Sequence, residues 1–321
     1  MPTPVPHSTH PDASHPGDSH TNGFHPDLTL AARLLPRTVV TSLTLRPLQV
    51  LSGALSRHIP GDVEVVDLGD RVSVRLHRPR NPRGTGHALL WIHGGGYVIG
   101  TAAEDDALCR KFADRLGIPV AAVDYRLAPA HPYPVPVQDC HRGLDWLAAQ
   151  DDVDPEKILI GGASAGGGLT AALALRCRDM AGRDTGSITP VFQLLVYPML
   201  DDRTTAGADD PKHYRVWSPS SNRLGWASYL GGADPSIAVP ARRTDLTGLP
   251  PAWIGVGTRD LFFAEDLAYA ERLKDAGVPV TVDTVPGGFH AFDMFAPRVA
   301  VSESFFERQC EVLDEAMGPA V

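Results

Sequence analysis

The sequence predicts an α/β fold: a mainly parallel sheet covered by helices on both faces. Three observations carry this. Short continuous apolar runs, long enough for buried strands, alternate along the chain with helical patterns of ten or more residues. Strand, helix and strand in that rhythm means crossover units, and crossovers force neighbouring strands to run parallel. The first strands break the rule, because 63–68 and 72–76 alternate in polarity and are separated only by Gly69-Asp70, the pattern of an antiparallel pair.

At 321 residues, 43% hydrophobic and 21% charged, the chain has the make-up of a soluble globular protein with a substantial core. A formal charge of −9 and a pI near 5.8 argue against nucleic acid or an anionic membrane surface as partner. No apolar run is long enough to span a bilayer. Cys109, Cys140, Cys177 and Cys310 are scattered without metal-ligand spacing, which reads as buried reduced thiols in a cytoplasmic protein.

Residues 1–26 are rich in Pro, Ser, Asp and His, with His10, His15, His20 and His25 at regular intervals. Metal capture is conceivable for such a repeat. A solvated tail is the better reading, because nothing in it could bury enough surface to order the chain. Residues 28–55 carry a helical pattern interrupted by Pro36 and Pro47, read as two short amphipathic helices outside the sheet. Parallel strands follow at 88–92, 119–123, 158–160, 192–196, 253–256 and 278–285, with helices at 105–116, 137–150, 169–180, 263–276 and 302–317. An antiparallel start followed by parallel crossovers narrows the choice to an α/β-hydrolase-like sheet. The rhythm fails between 201 and 250, where Tyr214, Trp217, Trp226 and Tyr229 cluster. That interval reads as an inserted helical lobe which, with the N-terminal helices, forms a cap over the C-terminal edge of the sheet, where pockets of open α/β sheets lie. The expected division is therefore a tail at 1–26, cap helices at 27–57, a core at 58–200 and 246–321, and a cap insert at 201–245.

The chemistry starts at Gly162-Ala163-Ser164-Ala165-Gly166. An apolar strand runs into this turn and a helix leaves it, so the serine hydroxyl stands clear of both. Side chains at Gly162 and Gly166 would collide with neighbouring backbone in so tight a bend. Glycine-rich turns between strand and helix also bind phosphates, but a phosphate loop ends in Gly-Lys-Ser/Thr and a dinucleotide site spaces its glycines as Gly-x-Gly-x-x-Gly. Neither pattern is present. Serine needs a base, and the base needs an acid to hold its tautomer. Asp260 follows one late strand and His290 the next, both at the C-terminal edge and in the order Ser, Asp, His. Asp266 and Asp283 compete for the acid, but the first should face along a helix and the second lies within a strand. An oxyanion would be met by N–H groups of Gly94, Gly95 and Gly96, directly after the strand 88–92, and by that of Ala165, donors worth ~3–4 kcal/mol each. His93 reads as a structural hydrogen-bonding residue.

Together, His93-Gly94-Gly95-Gly96-Tyr97, Asp124-Tyr125-Arg126-Leu127-Ala128-Pro129, His131-Pro132-Tyr133-Pro134, the serine motif, Asp260-Leu261 and Phe289-His290 resemble the bacterial hormone-sensitive-lipase-like (family IV) carboxylesterases of the α/β-hydrolase fold. The resemblance covers about 67–295. It implies Ser164 as nucleophile, Asp260 as orienting acid, His290 as base, oxyanion donors among Gly94–Gly96 and at Ala165, a helical cap, a homodimer, and neither cofactor nor metal. The sequence departs from the family's pattern at Ala163, Ala130 and Ala264, where acids (or Thr, at the first) are common, and at Ala291, where glycine is usual. Fewer carboxylates then surround the site, which bears on pH profile and substrate. The expected activity is hydrolysis of small to medium acyl esters through an acyl-enzyme, falling on acidification because His290 must be neutral. Amide or formamide hydrolysis by the same triad, and a non-catalytic small-molecule-binding role, are the alternatives.

Overall fold

The computed structural model describes residues 23–55, 59–181, 187–204 and 211–318. Eight strands form one sheet: β1 (Glu64–Gly69), β2 (Val72–His77), β3 (Ala88–Ile92), β4 (Val120–Asp124), β5 (Ile158–Ala163), β6 (Phe192–Val196), β7 (Ala252–Gly257) and β8 (Val280–Val285). They lie in the order β1-β2-β4-β3-β5-β6-β7-β8. β1 pairs antiparallel with β2 and β2 with β4, while all later pairs are parallel. β3, β5, β6 and β7 are buried along their whole length apart from Ala163, which is why they read as unbroken apolar runs rather than as alternating ones. One face of the sheet carries Leu90, Ile92, Ile160 and Leu195 into a core with the helices Val135–Ala148 and Ala165–Met180. The opposite face carries Leu89, Trp91, Leu159 and Trp253 against the helices Asp106–Leu116 and Ala300–Met317.

The helix after Ser164 begins at Ala165, four residues before the pattern at 169–180 suggests. Gly166, Gly167 and Gly168 are poor helix formers, so the start is hidden in the sequence. Close packing explains them: a Cβ on Gly167 would meet Pro198, and one on Gly168 would lie 2.3 Å from the Tyr97 hydroxyl.

Residues 1–22, with His10, His15 and His20, lie outside the described residues. The end of the expected tail does not behave as a tail. The His25 N–H donates to the Gly287 carbonyl at 3.0 Å, and the Phe24 ring meets Phe289 edge-on at 5.9 Å. One backbone hydrogen bond and one aromatic contact hold this stretch against the loop that leads to His290. The chain then enters the helices Thr29–Leu34 and Leu45–Leu55. These join the inserted segment by backbone bonds, Val39 N to the Val216 carbonyl and Val216 N to the Pro36 carbonyl, and by Ser221 Oγ to the Val40 carbonyl at 2.7 Å. The insert itself contributes the helices Pro219–Leu230 and Pro235–Ala238. Its aromatic cluster is buried. Tyr229 stacks on Tyr97 at 4.2 Å and Trp226 packs against both, so these rings anchor the cap to the core. Among the described residues no helix is long and apolar enough to cross a membrane.

Candidate active site

Ser164 sits at φ 56°, ψ −120°, a left-handed conformation that a side chain rarely adopts. The surrounding backbone holds it there. Its N–H donates to the Val196 carbonyl at 2.9 Å, and its carbonyl accepts from Met199 and, as the first bond of the helix, from Gly168. A Cβ on Gly162 would stand 2.6 Å from the carbonyl oxygens of both Ile92 and Gly166, and one on Gly166 only 2.0 Å from Ile92 O. The two flanking glycines let the turn press against the end of β3. Strain at such a turn points the hydroxyl outward, over the C-terminal edge.

Three loops bring the remaining groups to it. Asp260 leaves β7 through a turn in which its Oδ1 accepts from Phe262 N at 3.0 Å. His290 leaves β8 through Pro286-Gly287-Gly288. The two loops are laced together: Arg259 N donates to Gly288 O at 2.8 Å, and Gly287 N to Thr258 Oγ1 at 2.9 Å. Ser164 Oγ then lies 2.9 Å from His290 Nε2, and His290 Nδ1 lies 2.8 Å from Asp260 Oδ2. All three side chains are buried. A carboxylate on Nδ1 fixes the proton there and leaves Nε2 with its lone pair toward the hydroxyl.

The competing acids stand elsewhere. Asp283 accepts from Trp253 Nε1 at 2.6 Å and from Arg308 Nε at 2.8 Å. Asp266 is wholly buried, and neither of its oxygens has a hydrogen-bond partner among the described residues. Burial, with the nearby Glu265 and Asp260, pushes its carboxyl well above the usual range.

The structure divides the glycine run. Gly94 abuts the serine, since a Cβ there would lie 3.1 Å from the Ala163 carbonyl and 3.5 Å from Ser164 Cβ. Gly95, at φ 109°, turns the chain, and its carbonyl accepts from Val98 and Ile99. Gly96 lies beneath the cap, where a Cβ would meet the Trp217 ring at 1.9 Å. Opposite them, Ala165 opens its helix, so its N–H has no intrahelical acceptor. His93 stays out of the reacting set. It stacks on Tyr125 at 4.2 Å, its Nδ1 contacts the Gly94 carbonyl at 2.8 Å, and burial holds its pKa below the ordinary imidazole value.

Sequence reasoning missed several supporting groups. Trp217 roofs the glycine run. Glu265 Oε1 accepts from Leu200 N at 2.7 Å and Asp201 N at 3.1 Å, tying the segment that follows β6 to the helix after Asp260. Burial raises that carboxyl to about 8. Tyr197 and Phe262 set ring edges against His290 at 5.1 and 5.0 Å. None sits in a motif; each reaches the site only through the fold.

Comparison with known proteins agrees with this architecture. The alpha/beta hydrolase fold family matches residues 89–294. The carboxylesterase NlhH of Mycobacterium tuberculosis is 34% identical over 261 residues, covering 77% of this chain and 79% of its own. An ethyl acetate hydrolase of Pseudomonas putida is 32% identical over 240 residues, with 70% and 72% covered. A solved structure of a bacterial heroin esterase superposes with a TM-score of 0.79 at 34% identity, covering 92% of this chain and 99% of the other. With the strand order, the serine turn and relatives at these coverages in agreement, this chain belongs to the α/β-hydrolase fold, in its hormone-sensitive-lipase-like family of carboxylesterases.

Proposed function

We propose that this chain is a serine carboxylester hydrolase in which Ser164 is the nucleophile, His290 the general base and Asp260 the acid that orients it. The carrying observation is the buried relay from Ser164 Oγ through His290 to Asp260, with contacts of 2.9 and 2.8 Å. His290 takes the serine proton as Oγ attacks the ester carbonyl. The resulting oxyanion is met by N–H groups of the Gly94–Gly96 run and of Ala165. His290 returns the proton to the leaving alcohol, then deprotonates the water that hydrolyses the acyl-enzyme.

Trp217 above Gly96 limits the room beside the oxyanion donors, which supports small to medium acyl groups as substrates. The Pseudomonas relative named for ethyl acetate is in keeping with that. Four unpaired and buried thiols support a reducing, cytoplasmic setting. The test is turnover of aryl esters of increasing acyl length by the protein and by Ser164→Ala. Loss of about 10⁴-fold or more in kcat is expected for the variant with its fold intact. Retained turnover would remove Ser164 from the mechanism.

A further inference from the structure

The sequence has alanine at 130, 163 and 264, and the carboxyl groups that act on His290 come from Asp260 and Asp293. Tyr197 leaves β6 at φ 35°, pinned by its N–H to the Gly255 carbonyl at 2.7 Å. Its ring meets the His290 ring at 5.1 Å and 68°, while Phe262 meets it at 5.0 Å and 89°. The imidazole is thus flanked by two rings, and one of them is hydrogen-bonded to a carboxyl group. The Tyr197 hydroxyl donates to Asp293 Oδ1 at 2.8 Å. Asp293 comes three residues after His290, in the short helix Phe292–Phe295.

We propose that Tyr197 and Asp293 form a positioning pair for His290. The tyrosine ring sets the tilt of the imidazole, and the Asp293 carboxylate stabilises the imidazolium that forms when Ser164 gives up its proton. This rests on the ester-hydrolase reading above. Asp293 has the contacts such a role needs. Burial holds its carboxyl above the ordinary value, and the Tyr197 hydroxyl, backbone N–H groups and the charge of His290 offset part of that rise. The other ionisable groups facing the pair are known. Asp260 faces His290 from the loop after β7, and Asp266, its carboxyl pushed well up by burial, interacts with Asp260. Asp105, from the turn Ala102–Asp105, faces both Tyr197 and Asp293. Burial raises Asp105 to about 7, and the Trp91 indole N–H donates to it at 2.7 Å.

The sign follows from these charges. An anion beside His290 favours its protonated form, so removing that charge lets the imidazole lose its proton at lower pH and makes it a weaker base. Asp293→Asn keeps an oxygen for the Tyr197 hydroxyl and removes only the charge. In the full chain we expect the acid limb of the kcat/KM profile to move down by a few tenths of a pH unit. We expect kcat to fall about 3- to 10-fold with KM unchanged. Tyr197→Phe, which keeps the ring, should move the limb in the same direction by less, and it carries the test if Asp293→Asn does not fold. A fall in activity with the limb in place would mean that Asp293 only packs, and would overturn the proposal; so would wild-type values for both quantities. Ser164→Ala, measured alongside, separates the two readings. If it is inactive while Asp293→Asn is unchanged, only the positioning pair fails.

Discussion

The catalytic edge of the sheet and the cap above it are held by opposite means. At the edge, backbone meets backbone: Gly166 rests on the carbonyls of Ile92 and His93, Gly257 on that of Gly288, and the loops bearing Asp260 and His290 exchange main-chain bonds. The cap is tied down chiefly by side chains. Gln49 Nε2 donates to the Val98 carbonyl at 2.8 Å and lies 3.3 Å from that of Ala128, Tyr229 stacks on Tyr97, and Trp226 packs against it at a tilt. A backbone contact has no substitute, so the residue must be glycine and the sequence displays it. A side-chain contact has many substitutes of similar volume, so the cap sequence carries no motif.

The contrast predicts its own test. Gly166→Ala adds one methyl group where the Ile92 carbonyl oxygen is 2.0 Å and the His93 carbonyl oxygen 2.6 Å away. The turn must open, costing about 3 kcal/mol or more and abolishing turnover. A urea midpoint and activity like those of the parent would show that the edge is not held by backbone contact.

Trp217→Ala removes a far larger group, yet its effect on chemistry should be smaller. The ring is buried over Gly96 and its Nε1 donates to Asn222 Oδ1 at 3.2 Å, so the cap loses about 3 kcal/mol of local stability. On the shortest aryl ester kcat should stay within about 10-fold of the parent, while the optimum acyl length increases. An unchanged length profile would mean that the cap does not set selectivity.

The smallest effect concerns the tie between the two regions. Glu265 has its carboxyl raised by burial to about 8, against an ordinary value of 4.5. It stays protonated in the folded chain at pH values where the unfolded chain has ionised it. Its contribution to stability is therefore full below about 4.5 and is lost as pH rises to about 8. Glu265→Gln mimics the protonated acid and keeps an acceptor for the N–H groups of Leu200 and Asp201. The fall in urea midpoint between pH 5 and 8 should become shallower in this variant, by roughly the share of one buried acid. A slope identical to the parent's would place the pH dependence elsewhere, with Asp105 as the next group to test.

Most of the candidate site was legible because chain order, flanking strand pattern and glycine spacing all mark it. Ser164 is announced by Gly162 and Gly166; Asp260 and His290 each follow a strand at the same edge. Asp266 and Asp283 were separable from Asp260 because a helix interior and a strand interior aim side chains away from an edge. Other features stayed hidden. The helix start at Ala165 was masked by glycines that propensity counts against and packing demands. Phe24 and His25 looked like part of a tail because their partners, Phe289 and Gly287, lie more than 250 residues away.

By itself the sequence determined the sheet type, the strand-to-helix turn at Ser164 and the order of the three candidate residues along the chain. Those depend on local backbone requirements that only certain residues meet, chiefly glycine where a Cβ has no room. The tertiary structure alone decided that Trp217 roofs Gly96, that Glu265 joins cap to core, and that Tyr197 sets its ring against His290 and its hydroxyl on Asp293. Each depends on side chains meeting across tens of residues, between segments whose local pattern is that of ordinary core, and no spacing along the chain records that meeting.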